Sequence, residues 1–121
     1  MVISGGENIY CAEVERVLAL DLDFLEVALF GTPDARLGER AVAAVTLRPG
    51  VSRTEAAVKD FVRARLADYK APAEVVFDLG PLPRNSTGKV DKKALRSRYL
   101  DRISHERLIA SNERLGPLAS N

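Results

Sequence analysis

Two nearly continuous apolar runs decide the fold, and both lie within residues 26–48, EVALFGTPDARLGERAVAAVTLR. The first run, Glu26 to Gly31, and the second, Arg40 to Arg48, have the length and composition of β-strands. Strands without polar alternation are usually covered on both faces of their sheet, so we expect two covering layers. Gly31-Thr32-Pro33-Asp34 is expected to break the first strand, and Pro49-Gly50 closes the second as a turn.

A β-hairpin and a helix are predicted before the two strands. Met1 to Ser4 is short and apolar, Gly5-Gly6 supplies a tight turn, and Asn8 to Tyr10 returns as a second strand. A helix follows, because three apolar residues recur at the spacing of one helix face: Val14, Val17 and Leu18.

A second helix and a third strand are predicted after the two central strands. Residues 52–55, Ser-Arg-Thr-Glu, match a helix capping box, and Pro72 prevents the helix from continuing far. Glu74 to Phe77 predicts the third strand. One face of the helix is expected to be apolar through Val58, Phe61, Val62 and Leu66.

A loop and a last helix complete the predicted order of elements. Residues 82–89 have the composition of a loop, and Asp91 can cap a helix that runs through Tyr99. The apolar positions thin after about residue 102, so residues 101–121 are expected to extend this helix or to fray. The predicted fold class is α+β: a small domain with an N-terminal β-hairpin and a roughly three-stranded sheet flanked by helices.

The composition is typical of one soluble globular domain, since 46% of the 121 residues are apolar and 29% are charged. The net charge of +1 predicts no broad surface for nucleic acid. The sequence has neither an apolar run long enough to span a bilayer nor a signal-peptide pattern. We therefore expect a cytoplasmic protein without a transmembrane segment.

Single cysteine and histidine residues exclude several classes of site. Cys11 has no partner for an intramolecular disulfide or a Cys–Cys metal site, and we predict no metal site in this chain. We interpret Cys11 as a structural residue at a helix start, with a reactive thiol as the alternative. His105 is expected to be an exposed surface residue, so a Ser-His-Asp or Cys-His site within the chain is not expected.

Two glycine-containing segments carry the chemistry of the chain. In Thr87-Gly88-Lys89 the glycine removes steric bulk and the lysine brings a compact charge, which suits a phosphate. A P-loop does not match, because residue 83 is proline and Val90 replaces the Ser or Thr that holds magnesium. Taken alone, Lys89 is either a solvated turn lysine or an anion-binding group, and Gly5-Gly6 is either a hairpin turn or a point of close ligand approach.

Four segments together resemble the C-terminal domain of an acyl-CoA synthetase of the adenylate-forming superfamily. This superfamily comprises acyl-CoA synthetases, nonribosomal peptide synthetase adenylation domains and firefly luciferase. The resemblance covers roughly residues 1–100, with the segments in the family's order. They are SGGENIYCAEVE (residues 4–15), VALFGTPDARLGE (27–39), ADYKAP (67–72) and PRNSTGKVDKKALR (83–96).

The resemblance implies that residues 1–100 are a mobile lid of an ATP-dependent acid–thiol ligase, and that residues 101–121 are an extension. Such an enzyme forms an acyl-adenylate and then an acyl-CoA thioester, here with a fatty or related carboxylic acid. ATP, CoA and Mg²⁺ serve the full-length enzyme. The N-terminal domain that binds ATP and the acid is absent, so the chain alone is expected to be inactive and to bind no cofactor. Its expected partners are that domain, the acid, ATP and CoA.

The resemblance also assigns candidate site residues. Lys89 is the catalytic lysine, which contacts the carboxylate of the acid and the phosphate and ribose region of ATP. Gly5 and Gly6 line the tunnel for the pantetheine arm of CoA. Tyr69 matches an aromatic position that stacks on the adenine of CoA in some ligases, and Lys70 beside it is placed to meet a CoA phosphate. Residues 71 and 73 are alanine where some relatives carry basic residues, which leaves the assignment of Tyr69 and Lys70 open.

Two sets of alternatives remain from the sequence. The basic run near Lys89 is either a solvated helix face or a surface that steers anionic nucleotides. It consists of Lys92, Lys93, Arg96 and Arg98. The parent protein is an acyl-CoA synthetase, an adenylation domain that loads a carrier-protein thiol, or a non-catalytic binding module with the same fold.

Overall fold

The computed structural model describes the backbone of residues 1–115 and the side chains of residues 1–111. Five strands, three α-helices and one 3-10 helix lie within them. Their order is β1 (Val2–Ser4), β2 (Glu7–Ile9), α1 (Cys11–Leu18), β3 (Phe24–Asp34), β4 (Gly38–Leu47), α2 (Glu55–Arg63), the 3-10 helix (Asp68–Lys70), β5 (Glu74–Val76) and α3 (Lys92–Leu115).

One sheet contains all five strands. The antiparallel hairpin of β3 and β4 is its longest part, and β5 runs parallel to β4 with Ala43 opposite Val75. The short hairpin of β1 and β2 joins the same sheet where Ser4 pairs with Gly38. The strand order is β2-β1-β4-β3, with β5 beside β4. The predicted α+β class is confirmed, and the N-terminal hairpin is continuous with the central strands.

Both faces of the sheet are covered, as the apolar runs predicted. Leu29 and Ala43 belong to a core under α1 and α2, whereas Phe30 and Val42 belong to a second core under α3. Full burial of a side chain such as Leu29 contributes about 1.5–3 kcal/mol to the free energy of unfolding. In the second core the rings of Phe30 and Tyr99 meet edge to face at 5.5 Å. The sheet is therefore a rigid base for the loops at its ends.

The predicted break at Gly31-Thr32-Pro33-Asp34 is wrong, because β3 continues to Asp34, which pairs with Gly38. Within residues 1–115, β3 pairs with β4 alone. A proline is tolerated in such an edge strand, since its missing N–H faces away from the ladder.

The predicted capping box is also wrong in its register. Thr54 caps α2, and its Oγ1 accepts a hydrogen bond from the N–H of Ala57 at 3.0 Å. Glu55 accepts from the N–H of Val75 at 2.7 Å, so it ties α2 to β5 instead of reaching back to Ser52.

The last helix begins as predicted. Asp91 Oδ1 accepts a hydrogen bond from the N–H of Ala94 at 3.0 Å. The helix then runs unbroken to Leu115, so residues 101–115 extend it, and His105 is exposed as expected. The expectation for residues 116–121 lies outside the described residues. Of the helices in residues 1–115, none combines the length and apolar character needed to cross a bilayer.

Candidate functional site

The loop that carries Lys89 is compact and closed. Arg84 and Val90 form an isolated antiparallel bridge across its base. The N–H of Asn85 donates to the carbonyl of Lys89 at 2.9 Å, and the N–H of Gly88 donates to the carbonyl of Asn85 at 3.0 Å. Gly88 has a φ of +85°, a conformation that glycine adopts without the penalty of a Cβ. The Lys89 side chain is exposed, and it forms no ion pair within residues 1–111.

Glu26, near the start of β3, anchors the loop to the sheet. Its carboxylate accepts a hydrogen bond from the N–H of Leu82 at 3.0 Å and lies 3.6 Å from a guanidinium nitrogen of Arg84. Arg84 also donates to the carbonyl of Gly88 at 2.9 Å. The loop is therefore held by one side chain of the sheet as well as by its own residues.

Asn85 is the residue of this loop that the sequence analysis missed. Its Oδ1 accepts from the N–H groups of Thr87 and Lys89 at 3.0 and 3.2 Å, and from Thr87 Oγ1 at 2.6 Å. The available signal was an Asn just before a Ser-Thr-Gly run, since Asn side chains often bond to backbone two residues on.

The Gly5-Gly6 turn lies at the opposite end of β3. Gly5 and Gly6 have φ values of +58° and +83°, as the predicted two-residue hairpin turn requires. The N–H of Gly5 donates to the carbonyl of Leu37 at 2.9 Å. A Cβ at Gly5 would lie 3.4 Å from Leu37 Cδ2, whereas a Cβ at Gly6 would meet no heavy atom of the domain within 4 Å. Gly6 thus presents bare backbone outward.

Asp34 stiffens the turn on which Gly5-Gly6 rests. Its Oδ1 accepts hydrogen bonds from the N–H groups of Leu37 and Arg36 at 2.8 and 2.9 Å. These two hydrogen bonds hold the pKa of Asp34 below its ordinary value, and the bond from Leu37 has the larger effect. The carboxylate therefore stays ionised and the turn stays closed at neutral pH.

Tyr69 and Lys70 lie in the 3-10 helix that packs against β2 and α2. Tyr69 as a whole is 45% exposed, so part of the residue is open to a ligand. Lys70 Nζ is 2.7 Å from Glu13 Oε1, and this carboxylate raises the pKa of Lys70. Lys70 therefore stays charged, and it is paired with Glu13 in this structure.

The structure brings some of the predicted site residues together and separates others. Tyr69 and Lys70 lie beside β2, the strand that leaves the Gly5-Gly6 turn. The Lys89 loop is anchored at residue 26 and the glycine turn at residues 37 and 38. Residues 26 and 34 are about 26 Å apart along an extended strand. The glycine turn and the Lys89 loop thus lie at opposite ends of β3.

Three side chains of the basic run form contacts within the domain. Lys92 Nζ is 2.9 Å from Glu15, Arg96 Nε donates to the Gly31 carbonyl at 2.7 Å, and Arg98 donates to two loop carbonyls at 2.8 Å. Lys93 and Arg98 are exposed, so the solvated face and the steering surface both stay predictions.

Cys11 is the first residue of α1 and packs, partly buried, against the core, as its structural interpretation predicts. Within the described part of the chain, no group of three or more His, Cys, Asp or Glu residues is arranged to hold a metal ion.

Comparison with known proteins identifies the family. The model of the AMP-binding enzyme C-terminal domain matches residues 13–89. Indoleacetate–CoA ligase of Aromatoleum aromaticum is 47% identical over 96 residues, which are 79% of this chain and 19% of that protein. The fatty acyl CoA synthetase of Mycobacterium tuberculosis superposes with a TM-score of 0.75 at 42% identity, covering 82% of this chain and 19% of that one.

ATP-bound MatB from Rhodopseudomonas palustris superposes with a TM-score of 0.76 at 37% identity, covering 82% of this chain and 20% of that one. The chain therefore spans about a fifth of the length of these similar proteins. Residues 13–89 contain most of α1, the strands β3, β4 and β5, and α2, and they end at Lys89. The chain belongs to the AMP-binding enzyme C-terminal domain family.

Proposed function

We propose that the chain is the C-terminal domain of an ATP-dependent acyl-CoA synthetase of the AMP-forming type. The parent enzyme joins a carboxylic acid to the thiol of CoA in two half-reactions. The observation that carries the proposal is an exposed lysine, Lys89, on a closed and anchored loop in a chain whose relatives are CoA ligases.

Lys89 serves the first half-reaction. A carboxylate oxygen of the acid bonds to the α-phosphorus of ATP, the bond to the β-phosphate oxygen breaks, and pyrophosphate leaves. Two anions approach each other in this step, and negative charge grows on the phosphoryl oxygens. An ammonium group placed beside them stabilises that charge without reorganisation.

The Gly5-Gly6 turn serves the second half-reaction, in which the CoA thiolate attacks the carbonyl carbon of the acyl-adenylate and AMP leaves. The outward backbone at Gly6 leaves room for a narrow ligand such as the pantetheine arm. The ring of the exposed Tyr69 stacks on the adenine. Lys70 meets a CoA phosphate by exchanging its Glu13 partner for the phosphate.

The two groups lie at opposite ends of β3, so one fixed placement of the domain does not bring both to one reaction centre. We therefore infer that residues 1–100 act as a mobile lid, which presents the Lys89 end and then the Gly6 end. Residues 101–121 form its extension. The N-terminal domain supplies the ATP-binding loop, the acid pocket and the groups that bind Mg²⁺. None of these steps depends on a metal ligand from the described residues.

The substrate is proposed to be a fatty or related carboxylic acid. A fatty acyl CoA synthetase at 42% identity over most of the chain supports this choice. The comparisons do not favour an adenylation domain that loads a carrier protein, nor a non-catalytic binding module. Because ATP and CoA are both consumed, the cytoplasm is the proposed location.

A substrate panel tests this function. The full-length enzyme is incubated with ATP, CoA and a series of fatty and aromatic acids, and AMP and acyl-CoA are measured. We expect equal amounts of AMP and thioester with at least one acid. Residues 1–121 alone are the matched control and should form neither product. Failure of the full-length enzyme to release pyrophosphate with any acid would contradict the proposal.

A further inference from the structure

The peptide unit that joins Gly88 to Lys89 is held on both of its sides. Its carbonyl accepts a hydrogen bond from Arg84 Nη1 at 2.9 Å, and its N–H donates to Asn85 Oδ1 at 3.2 Å. The next carbonyl, that of Lys89, accepts from the N–H of Asn85 at 2.9 Å. The backbone on both sides of the Lys89 Cα is therefore fixed by two residues of the same loop.

Asn85 makes the larger share of these contacts. Its N–H, its carbonyl and its Oδ1 are all bonded within the loop, and Oδ1 alone receives three donors from Thr87 and Lys89. Glycine has the greatest conformational freedom of any residue type, so an exposed loop that contains Gly88 would otherwise adopt many conformations. The carboxamide of Asn85 selects one of them.

Arg84 connects this arrangement to the rigid part of the domain. Its guanidinium lies between the carbonyl of Gly88 and the carboxylate of Glu26 on β3. The same carboxylate binds the N–H of Leu82, where the chain enters the loop. The start and the tip of the loop thus share one anchor on the sheet.

We propose that Asn85 is a positioning residue for Lys89, which sets the direction of the lysine before the lid closes for adenylation. The inference rests on the proposed function. A lysine side chain has several rotatable bonds, so disorder in its backbone adds directly to the misplacement of its ammonium group. Because charge stabilisation depends on groups that are already in place, a small misplacement lowers the rate strongly. The Oδ1 of Asn85 is occupied by the loop, so the proposed action of this oxygen is through the Lys89 backbone.

The test uses the full-length enzyme and three variants. Asn85→Ala removes the acceptor, and Asn85→Ser keeps a weaker one, since a serine hydroxyl forms the same kind of turn less strongly. Ser86→Ala is the matched control, because Ser86 is exposed in the same loop and its side chain forms no hydrogen bond to residues 1–111. ATP–pyrophosphate exchange reports adenylation, and conversion of a supplied acyl-adenylate with CoA reports thioester formation.

We expect Asn85→Ala to lower the exchange rate by about 10- to 100-fold, a range typical of a misplaced catalytic group. Asn85→Ser should lie between Asn85→Ala and the wild type, and Ser86→Ala should match the wild type. Thioester formation should be unchanged in all three. Hydrogen exchange of the peptide covering residues 84–91, followed by mass spectrometry, should be fastest in Asn85→Ala, intermediate in Asn85→Ser and unchanged in Ser86→Ala.

Three results would overturn the inference. Unchanged pyrophosphate exchange in Asn85→Ala, beside an active wild type, would show that the lysine needs no such support. Equal losses in both half-reactions would mean that Asn85 serves only the fold. Absence of exchange in the wild-type enzyme with every acid would remove the proposed function and the inference with it.

Discussion

A side chain placed at Gly6 separates two roles of the β1–β2 turn, its backbone conformation and its open surface. Gly6 has a φ of +83°, and a Cβ there would meet no heavy atom of the domain within 4 Å. The cost of Gly6→Leu to the domain is therefore backbone strain alone, about 1–2 kcal/mol of unfolding free energy. Gly6→Asn should cost less, because Asn tolerates this conformation better.

The functional cost should exceed the structural one. If the pantetheine arm of CoA passes along the turn, the leucine side chain of Gly6→Leu occupies that space. We expect thioester formation from a supplied acyl-adenylate to fall by about 100-fold, the effect of displacing a reacting group by roughly 1 Å. ATP–pyrophosphate exchange should stay close to that of the wild type, since the proposed function assigns adenylation to the other end of the sheet.

The comparison of the two variants identifies the cause. Gly6→Asn adds a side chain with little backbone strain, so a loss of thioester formation in this variant reports occupied space. Both half-reactions are measured on the full-length enzyme, and urea denaturation checks the expected stability. Equal losses in the two half-reactions, or full thioester activity in Gly6→Leu, would refute the assignment of this turn to CoA.

Two further predictions concern Tyr99 and Lys70. Burial, with a hydrogen bond to Glu74, raises the pKa of Tyr99 to about 12. An unfolded tyrosine has a pKa of about 10, so the stability that the neutral phenol provides is present below pH 10 and is lost as the pH rises toward 12, by at most about 3 kcal/mol. Tyr99→Phe should abolish this alkaline loss in denaturation followed by circular dichroism, and an unchanged pH profile would contradict the prediction. Glu13→Gln should release Lys70 from its ion pair and so lower the KM for CoA by about 2- to 5-fold, the range that corresponds to the energy of an exposed ion pair. The KM for ATP should stay unchanged. An unaltered KM for CoA would contradict a phosphate contact by Lys70.

Apolar patterning predicted much of the fold, because burial decides where strands and helices lie. The two central strands, the glycine turn and the Asp91 cap follow from local rules that the structure obeys. The end of β3 does not follow from such rules. Pro33 marks a break in most contexts, and only the edge position of the strand, a tertiary property, makes it acceptable.

The site was less predictable, since long side chains find partners that are distant in sequence. Arg96 reaches the Gly31 carbonyl, and Lys70 reaches Glu13. No local sequence pattern indicates either of these two contacts. The hydrogen bonds of Asn85 are local in sequence, but only the three-dimensional structure shows that three donors share its Oδ1.

The central claim, that Lys89 acts in adenylation and not in thioester formation, is tested most directly by Lys89→Ala in the full-length enzyme. Loss of a group that stabilises transition-state charge should lower ATP–pyrophosphate exchange by about 100- to 1,000-fold. Thioester formation from a supplied acyl-adenylate and CoA should remain at the wild-type rate. Equal loss of both activities, or retention of exchange, would contradict the account.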